Sequence, residues 1–202
     1  MPKPDATTHL LYLHGFRSSP QSFKAQRLRD WLQQHRPDVH WWCPQLPPSP
    51  RQAMALVERG VAGWPRATMA VVGSSLGGFY AAWVAGRCGC AAVLLNPAVH
   101  PARDLAHHIG EQTAWHDPEA GFHFRAEYVD ELHALATETR RPPRCLAVIA
   151  RGDEVLDWRE MAAACSDCET RLLDGGDHAL SDFDLHLPAI LNFLNLEPTA
   201  CD

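Results

Sequence analysis

The chain has 202 residues, 46% of them hydrophobic and 21% charged, which is ordinary globular usage and enough to bury a full core in one domain, residues 1–202. Its formal net charge of -6, with no run of Lys and Arg longer than a pair, argues against nucleic acid or an anionic membrane as the main partner. No segment is apolar for long enough to span a bilayer and Met1 to Thr8 has no apolar signal region, so a cytoplasmic protein is expected.

Strand-like apolar runs alternate with helical stretches along the chain. Leu10 to Leu13 reads as a buried strand, Ser22 to Gln34 as a helix ending before Pro37, and Val39 to Cys43 as a second strand. After the proline-rich turn Pro44 to Pro50, Arg51 to Gly60 carries helical spacing. The apolar run Met69 to Val72 is followed by a glycine-serine turn and a helical stretch from Phe79 to Ala85, then by a strand at Ala91 to Leu95. Leu146 to Ala150 and Thr170 to Leu173 read as strands, with a helix at Trp158 to Cys165 between them, and a final helix is expected to open at Pro188. This alternation predicts an α/β fold, a mostly parallel sheet with helices on both faces and its chemistry at the carboxyl ends of the strands. Pro97 to Pro143 breaks the pattern and reads as a short, mainly helical insertion above the sheet.

Seven cysteines (Cys43, Cys88, Cys90, Cys145, Cys165, Cys168 and Cys201) make an odd count, a poor disulfide framework, and read as free thiols. Cys165-x-x-Cys168 has metal-ligand spacing, but the other close pair, Cys88-x-Cys90, does not, so no zinc site is expected. His107, His108, His116 and His123 show no helical two-histidine metal spacing with an acidic partner and read as a solvated insertion.

The segment Gly73-Ser74-Ser75-Leu76-Gly77-Gly78 carries the densest signal. It reads as Gly-x-Ser-x-Gly, a nucleophile elbow, in which a serine stands on a sharp turn between strand and helix. The strained backbone crowds the residues two before and two after the serine unless they lack side chains. Only Ser75 has glycine at both of those spacings, which makes it the nucleophile rather than Ser74. No Lys-Ser or Lys-Thr follows, so this is not a phosphate loop.

A serine hydroxyl needs a base, and the base needs a carboxylate to hold its tautomer. Asp153, directly after the Leu146 to Ala150 strand, and His178, after the last strand, complete the order Ser75, Asp153, His178 in which α/β-hydrolases present these groups. His14 is the chief competitor for the base. Glu154 is expected to point outward, and Asp157 to cap the helix that starts near Trp158. An oxyanion on the attacked carbonyl needs two N–H donors, for which the backbones of Leu76 and Phe16 are the candidates, with Gly15 allowing the close approach. Asn96 reads as a turn former with Pro97. Trp31, Trp41 and Trp42 read as packing of helix on sheet, while Trp115, Phe122 and Phe124 could either face substrate or pack.

Leu-His-Gly-Phe-x-Ser-Ser-Pro (Leu13 to Pro20), Gly-Ser-Ser-Leu-Gly-Gly (Gly73 to Gly78), Leu-Asn-Pro-Ala (Leu95 to Ala98), Gly-Asp-Glu-Val-Leu-Asp (Gly152 to Asp157) and Gly-Gly-x-His (Gly175 to His178) together resemble the YqiA-like family of small bacterial esterases, within the α/β-hydrolases. The resemblance implies hydrolysis of carboxylic esters, with Ser75, Asp153 and His178 matching the family's triad and no metal or organic cofactor. An acyl-CoA thioesterase using the same triad is one alternative, and a non-enzymatic ligand-binding protein on the same fold is another. The expected partner is a small acyl ester or thioester.

Overall fold

A computed structural model describes residues 6–113, 121–139 and 141–198. The amino-terminal half runs β1 (His9–Leu13), α1 (Phe23–His35), β2 (His40–Trp42), α2 (Pro50–Val61), β3 (Met69–Ser74), α3 (Leu76–Cys88) and β4 (Ala91–Leu95). After β4 come α4 (Pro101–Leu105), a single 3-10 turn (Ala106–His108), β5 (Gly110–Thr113), β6 (Gly121–Phe124) and α5 (Ala126–Glu138). The chain closes with β7 (Arg144–Ala150), α6 (Trp158–Ala164), β8 (Glu169–Leu173) and α7 (Phe183–Phe193).

Six strands form one parallel sheet in the order β2-β1-β3-β4-β7-β8. Its central strands are apolar at nearly every position because side chains alternate between two buried faces. Leu11, Leu13, Val71, Leu94, Ala147 and Ile149 point to the face covered by α2, α3, α5 and α6. Leu10, Tyr12, Val72, Val93, Leu95 and Val148 point to the face covered by α1 and α7. Arg27 on α1 and Asp184 on α7 form a two-pronged ion pair, both contacts 2.8 Å, at the edge of that second layer. Among the described residues no helix is long and apolar enough to cross a membrane.

The fold departs from the sequence expectations in four places. The helix after the glycine-serine turn begins at Leu76, not Phe79, so Gly77 and Gly78 lie inside it. There they permit contact with neighbouring backbone, an advantage that outweighs their low helix propensity. The last helix begins at Phe183, and Pro188 lies within it rather than at its start. Phe183, Leu187, Ile190 and Leu191 form one buried stripe, and packing it against the sheet outweighs the N–H that proline removes.

The insertion between β4 and β7 is mainly helical, as expected, but it also holds two strands of which the sequence shows no sign. It contains an antiparallel hairpin, Gly110 opposite Phe124 through Thr113 opposite Gly121, between its helices. Trp115 and His116 lie outside the described residues. Finally, Cys145 and Cys168 form a disulfide where free thiols were expected. Cys145 begins β7 and Cys168 precedes β8, and the pairing of Leu146 with Glu169 sets the two cysteines side by side, a proximity that spacing along the chain does not reveal. Among the described residues Cys43, Cys88, Cys90 and Cys165 are free, and Cys201 lies outside them.

A methyl group added at Gly73 would collide with the Gly77 carbonyl, and one added at Gly77 with the Leu13 carbonyl. Gly73→Ala and Gly77→Ala should each destabilise the fold by about 3 kcal/mol. Gly63→Ala, with nothing within 4 Å of its added methyl, should have little effect. Urea melts of the three variants check the ranking.

Candidate active site

The carboxyl ends of β1 and β3 lie side by side, Leu13 in register with Gly73. Here the strand order reverses, with β2 on one side of β1 and the rest of the sheet on the other, and such a point leaves a crevice beyond the strand ends. Ser75 stands at its floor with φ 56° and ψ -122°, a conformation that residues with side chains rarely adopt. Its N–H donates to the Leu95 carbonyl at 2.9 Å, and its own carbonyl accepts from Gly78 N–H at 2.8 Å and Ala98 N–H at 3.0 Å. A side chain on Gly15 would stand 3.2 Å from the Ser75 Cβ, so the turn after β1 closes directly over the serine. Ser74, the last residue of β3, is buried, whereas Ser75 is partly exposed.

Three of the sequence candidates come together. His178 Nε2 lies 3.0 Å from Ser75 Oγ, and His178 Nδ1 lies 2.7 Å from Asp153 Oδ2. The Asp153 side chain is fully covered, and its other oxygen accepts from the N–H groups of Val155 and Leu156, both at 2.8 Å. With both oxygens engaged, that carboxylate has one available orientation. His14 is placed differently. Its Nε2 accepts from Leu46 N–H at 3.1 Å and its Nδ1 donates to the Gly15 carbonyl at 3.0 Å, which ties the β1 turn to the loop after β2.

Glu154 is exposed, as expected, yet it also reaches the His178 loop. Its Oε2 accepts from the His178 N–H at 3.0 Å, because the loops after β7 and β8 pack closely enough that a side chain on Gly152 would strike the Gly176 carbonyl. Asp157 caps α6, accepting from Arg159 N–H at 2.9 Å. Asp177, next to His178, accepts from both the N–H (2.9 Å) and the hydroxyl (2.6 Å) of Ser181, and these bonds hold its carboxyl below its ordinary range. On the same loop the Ala179 carbonyl accepts from the half-buried Lys24 ammonium; burial lowers that group to about 8, against the attraction of Asp177 and Asp153.

Asn96 does more than form a turn. It is fully buried at φ 40°, just beyond β4. Its Oδ1 accepts from Ala150 N–H at 2.8 Å, where the Asp153 loop begins, and its Nδ2 donates to the carbonyls of Asp177 (3.0 Å) and His178 (3.2 Å). One amide therefore holds the Asp153 and His178 loops together. The signal in the sequence is a polar residue ending an otherwise apolar central strand, where burial obliges it to find partners.

The two oxyanion candidates flank the serine. Leu76 is the first residue of α3, so its N–H has no carbonyl one turn earlier in the helix. The Phe16 N–H donates to no backbone carbonyl among the described residues. The Phe16 ring meets Phe122 and Phe124 edge-on, with centroids 5.8 and 5.1 Å apart, which seats the hairpin of the insertion on the turn after β1. Beside this turn opens a cleft of about 790 Å³, whose apolar lining includes Phe16, Leu46, Leu56, Leu76, Tyr80 and Phe122. Phe122 thus faces the cleft, while Phe124 is buried as packing.

The family model described as "Uncharacterised protein family (UPF0227)" matches residues 9–195, and the chain belongs to that family. A UPF0227 protein of Yersinia enterocolitica is 28% identical over 193 residues, covering 93% of this chain and 99% of the relative. Among solved structures, Est1E from Butyrivibrio proteoclasticus superposes with a TM-score of 0.71 at 17% identity, covering 95% of this chain and 88% of its own. A second structure of Est1E holds ferulic acid. Alpha/beta hydrolase domain-containing protein 10 from mouse gives a TM-score of 0.70 at 16% identity, covering 95% and 91% of the two chains. The fold is therefore that of the α/β-hydrolases.

Asn96→Ala should leave one buried N–H and two carbonyls without their partner, at a cost of about 3 kcal/mol. Asp157→Ala should cost only about 1 kcal/mol, the usual effect of losing an N-cap. Denaturant unfolding of both variants measures the difference.

Proposed function

We propose that this member of the UPF0227 family is a serine esterase that hydrolyses carboxylic esters through an acyl-enzyme. The observation that carries the reading is the continuous relay from Ser75 Oγ through the His178 ring to Asp153, with contacts of 3.0 and 2.7 Å, beneath a serine in the strained elbow conformation.

In this reading Ser75 Oγ attacks the acyl carbon as its proton passes to His178 Nε2. Asp153 keeps the other ring nitrogen protonated and stabilises the imidazolium that forms. Negative charge gathers on the former carbonyl oxygen, where the N–H groups of Leu76 and Phe16 meet it. His178 then returns the proton to the departing alkoxide, which leaves as the alcohol while the acyl group remains on Ser75. A water molecule repeats the sequence: it gives a proton to His178 and adds its oxygen to the acyl carbon. The acid is released and Ser75 recovers its proton. The His178 ring must be neutral at Nε2 to accept the serine's proton. We further propose that residues 1–202 act as one cytoplasmic domain with no metal or organic cofactor.

Ser75→Ala should lower kcat by roughly 10⁴-fold or more and abolish labelling by a fluorophosphonate, whereas Ser74→Ala should still label. Asp153→Asn should lower kcat by roughly 10³ to 10⁴-fold, since it leaves the histidine in the wrong tautomer. Labelling that persists in Ser75→Ala would sink the assignment. A wild-type protein that takes up no fluorophosphonate would instead favour a ligand-binding role.

A further inference from the structure

The cleft beside Ser75 has a charge pattern at odds with that of the whole protein. The chain carries 24 acidic and 18 basic residues, yet among the described residues no Asp or Glu lines the cleft, while Arg17 and Arg59 do. The helix α2 explains how the second arginine gets there. Its buried stripe is Pro50, Ala53, Met54, Val57 and Val61, and the adjacent stripe Gln52, Ala55, Leu56 and Arg59 faces the cleft at helical spacing. Gln52 and Arg59 are seven residues apart on α2, about 10 Å along the axis. Since α2 starts from the loop beyond the carboxyl end of β2, Arg59 lies toward the end of the cleft away from Ser75.

Arg59 is exposed, and among the described residues its guanidinium makes no hydrogen bond or ion pair. Its neighbours are committed: Arg51 to Glu131, Arg87 to Glu58 and Glu138, and Arg66 to the Arg87 carbonyl. Arg17 is tethered at the near side, donating to the carbonyl (2.6 Å) and hydroxyl (3.0 Å) of Thr113 on the hairpin. The cleft thus runs from the N–H groups of Phe16 and Leu76, over apolar walls, to a guanidinium with no partner among the described residues.

We propose that the substrate is an ester or thioester with an apolar middle and an anionic terminus, carboxylate or phosphate, which Arg59 binds. The inference rests on the esterase reading and narrows it to a substrate class. The anion could sit at the end of the acyl chain or on the leaving group, and the two placements call for separate arms of one experiment.

The first arm compares phenyl esters of a straight-chain dicarboxylic acid, free at its far end, with phenyl esters of the methyl-terminated acid of equal length. The second compares a short acyl thioester of a phosphorylated thiol with that of the dephosphorylated thiol. The wild type should favour the anionic member of at least one pair. In Arg59→Gln the ratio of kcat/KM values, anionic to neutral, should fall roughly three- to fivefold, the reach of a solvent-exposed ion pair. In Arg59→Glu the preference should turn toward an ammonium-terminated ester, and in the wild type added salt should weaken it. Arg66→Gln, which removes the same charge outside the cleft, should keep the wild-type ratio.

Turnover with no preference in either arm overturns the inference while leaving the esterase reading intact. A preference that survives Arg59→Gln does the same, and leaves Arg59 as a charge complementing the end of α2. Absence of all turnover, together with absence of fluorophosphonate labelling, overturns the esterase reading and this inference with it.

Discussion

Everything about the site follows from a backbone conformation that the chain would not adopt alone. Ser75 at φ 56° and ψ -122° costs roughly 1 to 3 kcal/mol relative to ordinary strand or helix geometry. It persists because the surroundings leave no alternative. The serine's N–H and carbonyl are bound by Leu95, Gly78 and Ala98, so the turn is held from the neighbouring strand as well as from its own helix. Glycine at 73 and 77 lets strand and helix touch across it, and Gly77 also lets α3 rest on the end of β1. That last contact brings the turn containing Phe16 over the serine. One steric demand, the absence of two side chains, thus sets both the exposed hydroxyl and the crevice above it.

The other two loops are held by polar bonds, which work on different terms. Asp153, His178, Glu154 and Asn96 form one network, in which Asn96 and the Asp153 carboxylate are fully covered and would lose their partners far from water, while Glu154 stands exposed at its edge. A satisfied network of this kind has essentially one arrangement. The peptide of His178 is gripped at both ends, its N–H by Glu154 and its carbonyl by Asn96, so the imidazole is aimed before any substrate arrives. Preorganisation of that kind is what a general base and its carboxylate require.

How much of this is legible in the sequence depends on whether a feature is local. The elbow is local, because Gly73, Ser75 and Gly77 carry the steric argument within five residues. The parallel sheet is legible from apolar runs at regular spacing, and the groups of Ser75, Asp153 and His178 from their places after strands. What escapes is set by register and by facing surfaces. Cys145 and Cys168 meet only because β7 and β8 pair as they do. Glu154 reaches the His178 N–H because two glycine-bearing loops touch. Asn96 has three partners 54 to 82 residues away in sequence. Pro188 sits mid-helix because tertiary packing overrides a local stop signal.

The same division separates chemistry from selectivity. In the proposed esterase, the strand ends and their glycines would supply a nucleophile, a base and two N–H groups, a set that serves many esters equally well. What distinguishes one ester from another must come from parts that the sheet does not dictate, and here those are α2 and the insertion. The hairpin β5–β6 rests on Phe16 and contributes Phe122 to the cleft, and α2 lays Leu56 and Arg59 along it. The hairpin also holds Arg17 through Thr113, so it shapes the cleft's walls and part of its charge at once. A family sharing the elbow and relay can therefore diverge in substrate through these two elements alone, and a substrate assignment made from the fold would miss the residues that decide it.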